Sequence, residues 1–379
     1  MSVQPGPEVV RSHSRAAPTT YDDRRAKHGA VAAHLSALSD EEVLALPREG
    51  GPRSVWSTTG TIQVDAMPVF IKRVPVTALE AGHPYSTGNH FGLPNCYHYG
   101  VGSAGYGAFR ELAGLVQTTA MVLDGSAAGF PLLYHHRILP GSPRPWTGRM
   151  TLEAYVEYWA GDQAIDRYMR ARQVAPQELW MFLEYFPRAG DDWFGSHQAE
   201  IPRMIAHLCG AAAELRRHGL VHFDAHFGNV VTDGALAVLA DFGLVCADTF
   251  ELGAGEAEFL DNHRYYDVGL VLANLGLFLT FEASRATPET RTEIDRRCGI
   301  GAGSGRLQVI MGLVDRAEDL ADVLGLDAAY LTELERYREV NRYMHAFVSE
   351  MQSRPAKDAC YSDKELLARL RDAGTPFTD

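Results

Sequence analysis

Between residues 218 and 245 the chain reads HGLVHFDAHFGNVVTDGALAVLADFGLV, and His222, Asp224, His226, Asn229 and Asp241 all fall inside it. Asp233-Gly234, flanked by apolar residues, is a strong hairpin signal. A hairpin brings its ends together, so Asn229 is expected near Asp241. A carboxylate and an amide oxygen held side by side suit a hard divalent ion such as Mg2+, which keeps waters and substrate phosphates as its other ligands. Asp224, five residues before Asn229, is then placed to meet an acceptor hydroxyl as base or orienter.

The elements that must position these residues can be read from periodicity. IPRMIAHLCGAAAELRRHG is an amphipathic helix ending at Gly219, and RYYDVGLVLANLGLFLTF is a mostly apolar helix expected to be buried. Further helices are expected near 306–325, 328–352 and 362–373. The first half differs. SVWSTTGTIQVDAMPVFIKRVPV reads as two or three antiparallel strands with a glycine-containing turn. FPLLYHHRIL and ELWMFLEYF read as strands, and AFRELAGLVQTTAMVL and a stretch near 150–172 as helices. Residues 81–107, with seven glycines, read as loop. Residues 1–24 read as a flexible tail, and RAKHGAVAAHLSAL as a helix. Ser39 and Glu42 stand at capping-box spacing for a second short helix. The class is α+β, strand-rich first and helix-rich after.

A length of 379 residues, 46% of them hydrophobic, is enough for a large core in two domains or lobes. The formal charge of −13 argues against nucleic acid or anionic membrane as partner and is compatible with a cationic acceptor. Five cysteines at wide spacing, with no CxxC pair, argue against a disulfide framework or zinc site and fit a reducing cytoplasm. No apolar run approaches the roughly 20 residues that span a bilayer, and the first residues contain no apolar core of a secretory signal.

HFDAHFGN followed by DFG resembles the catalytic loop and metal motif of the protein-kinase-like superfamily. The resemblance covers roughly residues 53–280. It implies a bilobal fold with an antiparallel-sheet N-lobe over 53–187, an insertion at about 141–177, and a helical C-lobe over 188–379. Residues 1–52 precede the lobes as tail and short helices. It implies Asp224 as the catalytic aspartate and Asn229 and Asp241 as holders of Mg2+, with His222 packing under the loop against Phe242. PVFIKRV resembles the strand whose lysine contacts the ATP phosphates, which makes Lys72 that lysine. Its helical partner is Glu111, 39 residues on, with Glu80 as the runner-up. Glu184, Tyr185 and Phe186 correspond to the adenine-contacting hinge, and Asp267 to the buried carboxylate that holds the loop backbone.

The departures are informative. Phe223 and His226 stand where protein kinases usually carry Arg and Lys, so HxDxHxGN is closer to aminoglycoside phosphotransferases and choline kinases, while ADFGL is closer to protein kinases. His226 either contacts the transferring phosphate or fills the loop. The phosphate loop would be WSTTGTIQ, between two strands, with Gly60 as its one glycine and Ser57, Thr58 and Thr59 as donors. Gly100–Gly105 (GVGSAG) is a literal GxGxxG, but no βαβ unit surrounds it and it follows Lys72, so residues 100–107 are read as a tolerant connection rather than a mobile lid. The insertion either shapes the acceptor site or covers apolar surface. The implied activity is MgATP-dependent transfer of a phosphoryl group to a hydroxyl of a small molecule, such as an antibiotic or biosynthetic intermediate. A kinase for Ser/Thr of a peptide and a pseudokinase scaffold are the alternatives.

Overall fold

The computed structural model describes residues 21–50, 56–301 and 303–378. The expected tail over 1–20 and the expected strand start at 53–55 lie outside these residues. The chain is mixed α+β, with a small antiparallel sheet followed by a helical part.

The sheet is built from β1 (Thr58–Val64), β2 (Met67–Val76), β3 (Leu133–Pro140) and β4 (Gln177–Glu184), in spatial order β1-β2-β4-β3 and antiparallel throughout. β-branched and aromatic side chains drive it: Ile62, Val64, Val69, Ile71, Trp180 and Phe182 are all buried. The β1–β2 turn is not where a glycine was expected. It is Asp65-Ala66, both left-handed at φ 49° and 63°, the backbone twist a two-residue hairpin demands. Gly60 instead lies inside β1 opposite Ile71. A Cβ there would meet the Glu49 carbonyl oxygen at 3.0 Å, because residue 49 bridges to Thr61.

The helix Tyr21–Ala37 packs on β3. Residues 21–24 are therefore not tail. Arg24 donates to the Glu184 carboxylate (2.7 Å) and to the carbonyls of Ala128 (2.8 Å) and Phe130 (2.5 Å). Ser39 and Glu42 form the expected capping box. The helix expected near 150–172 is two, Leu152–Tyr158 and Gln163–Gln173. Left-handed Ala160 and Gly161 break it, and Asp162 caps the second piece by accepting from the Ala164 and Ile165 amides.

Five shorter strands link sheet to helices. β5 (Arg188–Ala189) pairs with β7 (Val230–Thr232), which pairs with β8 (Ala237–Leu239); β6 (Leu220–Val221) pairs with β9 (Cys246–Ala247). (β9 follows the Asp241 segment.) The helix Ile201–Arg217 leads into β6. The helix Tyr266–Arg285 is the centre of the helical part, against Ile201–Arg217 and Arg338–Ser353. By length and composition it is apolar enough to cross a membrane, contrary to the sequence expectation, but 67% of that window is buried inside the fold. The C-terminal helices expected at 306–325 and 328–352 are each interrupted. The pieces are Arg306–Asp315 with Ala321–Leu324, and Ala328–Arg336 with Arg338–Ser353.

Candidate functional site

The 222–229 loop is fixed from below by one stripe of a helix. Asp267 accepts the backbone amides of His222 (2.6 Å) and Phe223 (2.9 Å). Two turns further along the same stripe, Asn274 accepts the Phe227 amide (3.0 Å) and donates to the Ala225 carbonyl (3.1 Å). Burial pushes the Asp267 carboxyl up to about 7, against those two amides. Asn274 was not singled out from the sequence. Its spacing of seven residues from Asp267, a polar pair on one face of an apolar helix, was the available signal.

His222 lies beneath the loop, its ring 4.7 Å from that of Phe242 and edge-on to it. Burial depresses its pKa to about 4, so it is neutral near pH 7. Its Nδ1 accepts from the Asp224 amide (3.2 Å), which puts the proton on Nε2 for donation to the Ala240 carbonyl (3.2 Å). One imidazole thus ties Asp224 to the segment before Asp241. The hairpin does the same from the other side, with the Ala240 amide donating to the Asn229 carbonyl at 2.8 Å. Its tip is secured by Asp233, whose side chain accepts from the Ala235 and Leu236 amides. Phe223 and Asp241 both sit at positive φ, 65° and 64°. Such strain in non-glycine residues persists only where the surroundings enforce it.

Asn229 Nδ2 donates to Asp224 Oδ2 (2.8 Å) and to the Asp224 carbonyl (3.0 Å). His226 Nε2 is 3.5 Å from Asp224 Oδ1. Burial raises the Asp224 carboxyl above the usual range, against the attraction of His226. Across from it, Lys72 Nζ from β2 contacts Glu111 Oε1 at 2.5 Å and Asp241 Oδ1 at 2.8 Å. Burial disfavours the ammonium, but the Asp241 and Glu111 charges outweigh it and raise the Lys72 pKa. Burial also opposes ionisation of Asp241, yet Lys72 holds that carboxyl below its usual range. Lys72 thus pairs with Glu111, on the helix Ala108–Asp124, and not with Glu80. Glu80 is spent on a capping box with Thr77 and on the amide of Ala108, the first residue of that same helix.

A cavity of ≈310 Å3 opens here, and Lys72, Glu111, Asp224, His226, Asn229, Asp241 and Ser57 all line it. Asp241 Oδ2 and Asn229 Oδ1 accept no hydrogen bond among the described residues. Two hard oxygen donors are therefore available on one wall, the set that Mg2+ takes together with water and phosphate.

The remaining expected residues lie elsewhere. Thr58, Thr59 and Gly60 are strand residues of β1 rather than a loop, and none lines the cavity. The WSTTGTIQ segment is paired to β2 from Thr58 onward, so only its first two residues, Trp56 and Ser57, line the cavity. Glu184, Tyr185 and Phe186 join the sheet to the helical part without lining the cavity, and the Glu184 carboxylate is committed to Arg24. The wall facing Lys72 comes instead from the glycine-rich segment read as a connection: Gly100, Gly102, Ser103, Ala104, Gly105 and Gly107. Two of these glycines are required by contact. A Cβ on Gly100 would stand 1.9 Å from Asp224 Oδ1. Gly105, at φ 92°, would place one 2.6 Å from the Gly243 carbonyl oxygen. The segment is anchored beside Asp241 by the Tyr106 amide, which donates to that same carbonyl at 3.2 Å. The insertion supplies Arg172, which the sequence reading did not single out.

A second cavity of ≈290 Å3 shares Gly100, Asp224 and His226 with the first. Its far wall is Leu270, Leu277, Phe281 and Val348, with Arg306 and Gln352. Asp224 stands at the boundary of the two.

No family model matches the chain, and no curated protein matches it.

Proposed function

We propose that the chain is an MgATP-dependent phosphotransferase acting on the hydroxyl of a small molecule. The observation that carries this reading is the convergence of Lys72, Glu111, Asp241, Asn229 and Asp224 on one cavity. In this reading Lys72, oriented by Glu111, positions the phosphates of the nucleotide substrate. Asp241 and Asn229 hold Mg2+, which when bound offsets the charge of the phosphate oxygens. Asp224 orients the acceptor hydroxyl and takes its proton as the oxygen bonds to the γ-phosphorus and the bond to the departing ADP oxygen breaks. Its raised pKa makes it a stronger base than an exposed aspartate.

The second cavity supports a small acceptor, since about 300 Å3 is at the lower end of ligand pockets. It bears on charge as well. Asp224 is the one carboxylate on that wall among the described residues, whereas Arg306 adds a cation. A neutral or anionic hydroxyl compound with an apolar body fits better than the cationic acceptor that the acidic composition suggested.

Thermal unfolding with and without MgATP tests the reading. Ligand at about 100 times its dissociation constant stabilises by roughly 2.7 kcal/mol, a shift of several degrees for a chain of this size. The shift is expected to need Mg2+ and to vanish in Asp241→Ala. No shift at millimolar MgATP would favour the scaffold reading.

Gly100→Ala gives a sharper local test. The new methyl must push the Asp224 carboxylate aside, and misplacing a reacting group by about 1 Å costs roughly 100-fold in rate. Because Gly100 is exposed, the unfolding temperature is expected to stay near wild type while turnover falls by about that factor. Unchanged turnover would show that the carboxylate position is not critical.

A further inference from the structure

Among the described residues three arginines are almost fully buried: Arg24 (3% exposed), Arg110 (2%) and Arg172 (5%). Arg24 pairs with Glu184 and Arg110 with Glu256. Arg172, from the helix Gln163–Gln173, has no carboxylate in ion-pair contact among the described residues. Its Nη1 donates to the Tyr168 hydroxyl (2.9 Å) and its Nη2 to the Trp56 carbonyl (2.5 Å). A guanidinium has five N–H donors, and these bonds leave others unused. Glu80 and Glu111 attract Arg172 only through space, without contact, and burying a guanidinium with unused donors is costly, so this arrangement has room for a further anion in contact with Arg172.

Arg172 lines the same cavity as Lys72 and Asp241. Two further sets of donors meet it there. Ser57, 6% exposed, also lines the cavity, and its hydroxyl has no hydrogen-bond partner among the described residues. The amides of Gly102, Ser103, Gly105 and Gly107 likewise have no acceptor among the described residues. Lys72 is already engaged by two carboxylates. A planar guanidinium fork, a hydroxyl and four backbone amides together match a phosphate better than a single-point anion.

We propose that Arg172, Ser57 and the amides of Gly102, Ser103, Gly105 and Gly107 form the seat for the phosphate chain of the nucleotide substrate. Among the described residues β1 and β2 offer no loop to the cavity, and the insertion together with the glycine segment supplies these donors. The proposal rests on the phosphotransferase reading for the identity of the anion, but not for the existence of the seat.

Calorimetric titration of the full chain with inorganic tripolyphosphate, MgATP and adenosine tests it. In Arg172→Gln the affinities for tripolyphosphate and MgATP are expected to fall at least about tenfold, as for a lost charge-assisted bond, with adenosine unchanged. Arg172→Lys is expected to recover part of the loss. A folded Arg172→Gln that binds both phosphates as wild type does would overturn the seat. If that variant does not fold, Ser57→Ala decides. It leaves the bonds of Arg172 intact and is expected to weaken both phosphates about fivefold, and unchanged affinity there overturns the seat. The two ideas fail separately. Tripolyphosphate bound through Arg172 with no binding of MgATP or adenosine keeps the seat and removes the nucleotide. MgATP binding that is insensitive to Arg172 and Ser57 but lost in Asp241→Ala removes the seat and keeps the reaction.

Discussion

Asp224→Asn is expected to lower turnover by about 100- to 10,000-fold, the range of a lost general base, while MgATP still binds. The substitution keeps size and shape. It removes the proton acceptor but leaves Lys72, Asp241 and Glu111 untouched, and those make the nucleotide contacts in the proposed reaction. The loss should therefore appear in kcat, with the KM for MgATP little changed. The wild-type pH profile carries the same signature. Asp224 must be ionised to act, and burial raises its pKa. The acid limb is thus expected above the ordinary carboxylate range, and it should disappear in Asp224→Asn. Full turnover in the variant would remove Asp224 from the chemistry.

The largest stability effect is expected well away from that carboxylate. Glu256, on the helix Ala254–Asp261, meets the Arg110 guanidinium with both carboxylate oxygens and faces His98 Nε2 at 3.2 Å. Arg110 also donates to the Thr87 carbonyl at 2.6 Å and lies over the Tyr106 ring, 5.0 Å from its centroid. Glu256→Ala leaves that guanidinium buried without a contacting carboxylate, which costs about 3–5 kcal/mol, or roughly 5 °C in unfolding temperature for a chain of this length. Burial opposes the Glu256 charge, but His98 and Arg110 win and hold its carboxyl down to about 2, against 4.5 when free. A depressed carboxyl stabilises the fold above its unfolded value and loses that contribution as pH falls. The wild-type curve should therefore drop between about pH 4.5 and 2 by an increment that Glu256→Ala lacks. An unfolding temperature within a degree or two of wild type would show that the pair contributes nothing net.

Local grammar accounts for what could be read from the sequence alone. Asp233-Gly234 forces a hairpin whatever surrounds it, and so Asn229 had to return towards Asp241. The Ser39–Glu42 box likewise needs only four adjacent residues. Lys72 and Glu111 stand out by residue type and element, Glu80 ranks second because its segment is weak and glycine-flanked, and the structure commits Glu80 to a cap through the Thr77 hydroxyl. What escaped depends on long-range packing. Helical periodicity places Arg172 on an inward face but does not say that the face meets Lys72. The glycines at 100–107 look like spacer until Asp224 and Gly243 are brought within van der Waals range of them. WSTTGTIQ looked like a loop because of one glycine, yet pairing with β2 overrode it and the left-handed turn fell on Asp65 and Ala66. The 150–172 helix was misread for a similar reason, because Asp162 was counted as a helix interior residue when it is a cap.

The clasp between Arg24 and Glu184 sets an order of events during synthesis. The helix Tyr21–Ala37 is made first, but its buried arginine binds a carboxylate 160 residues later and two carbonyls more than 100 residues later. Until β4 has left the ribosome, that helix has no site for its charge, and β3, the strand it rests on, lacks its own neighbour. Domains assemble during translation only as their partners emerge, and contacts this distant in sequence close late. The first stretch of described chain to be translated thus waits for residue 184 before its buried arginine is paired. A nascent chain that has made β2 and β3 but not β4 carries two strand edges that β4 has yet to pair.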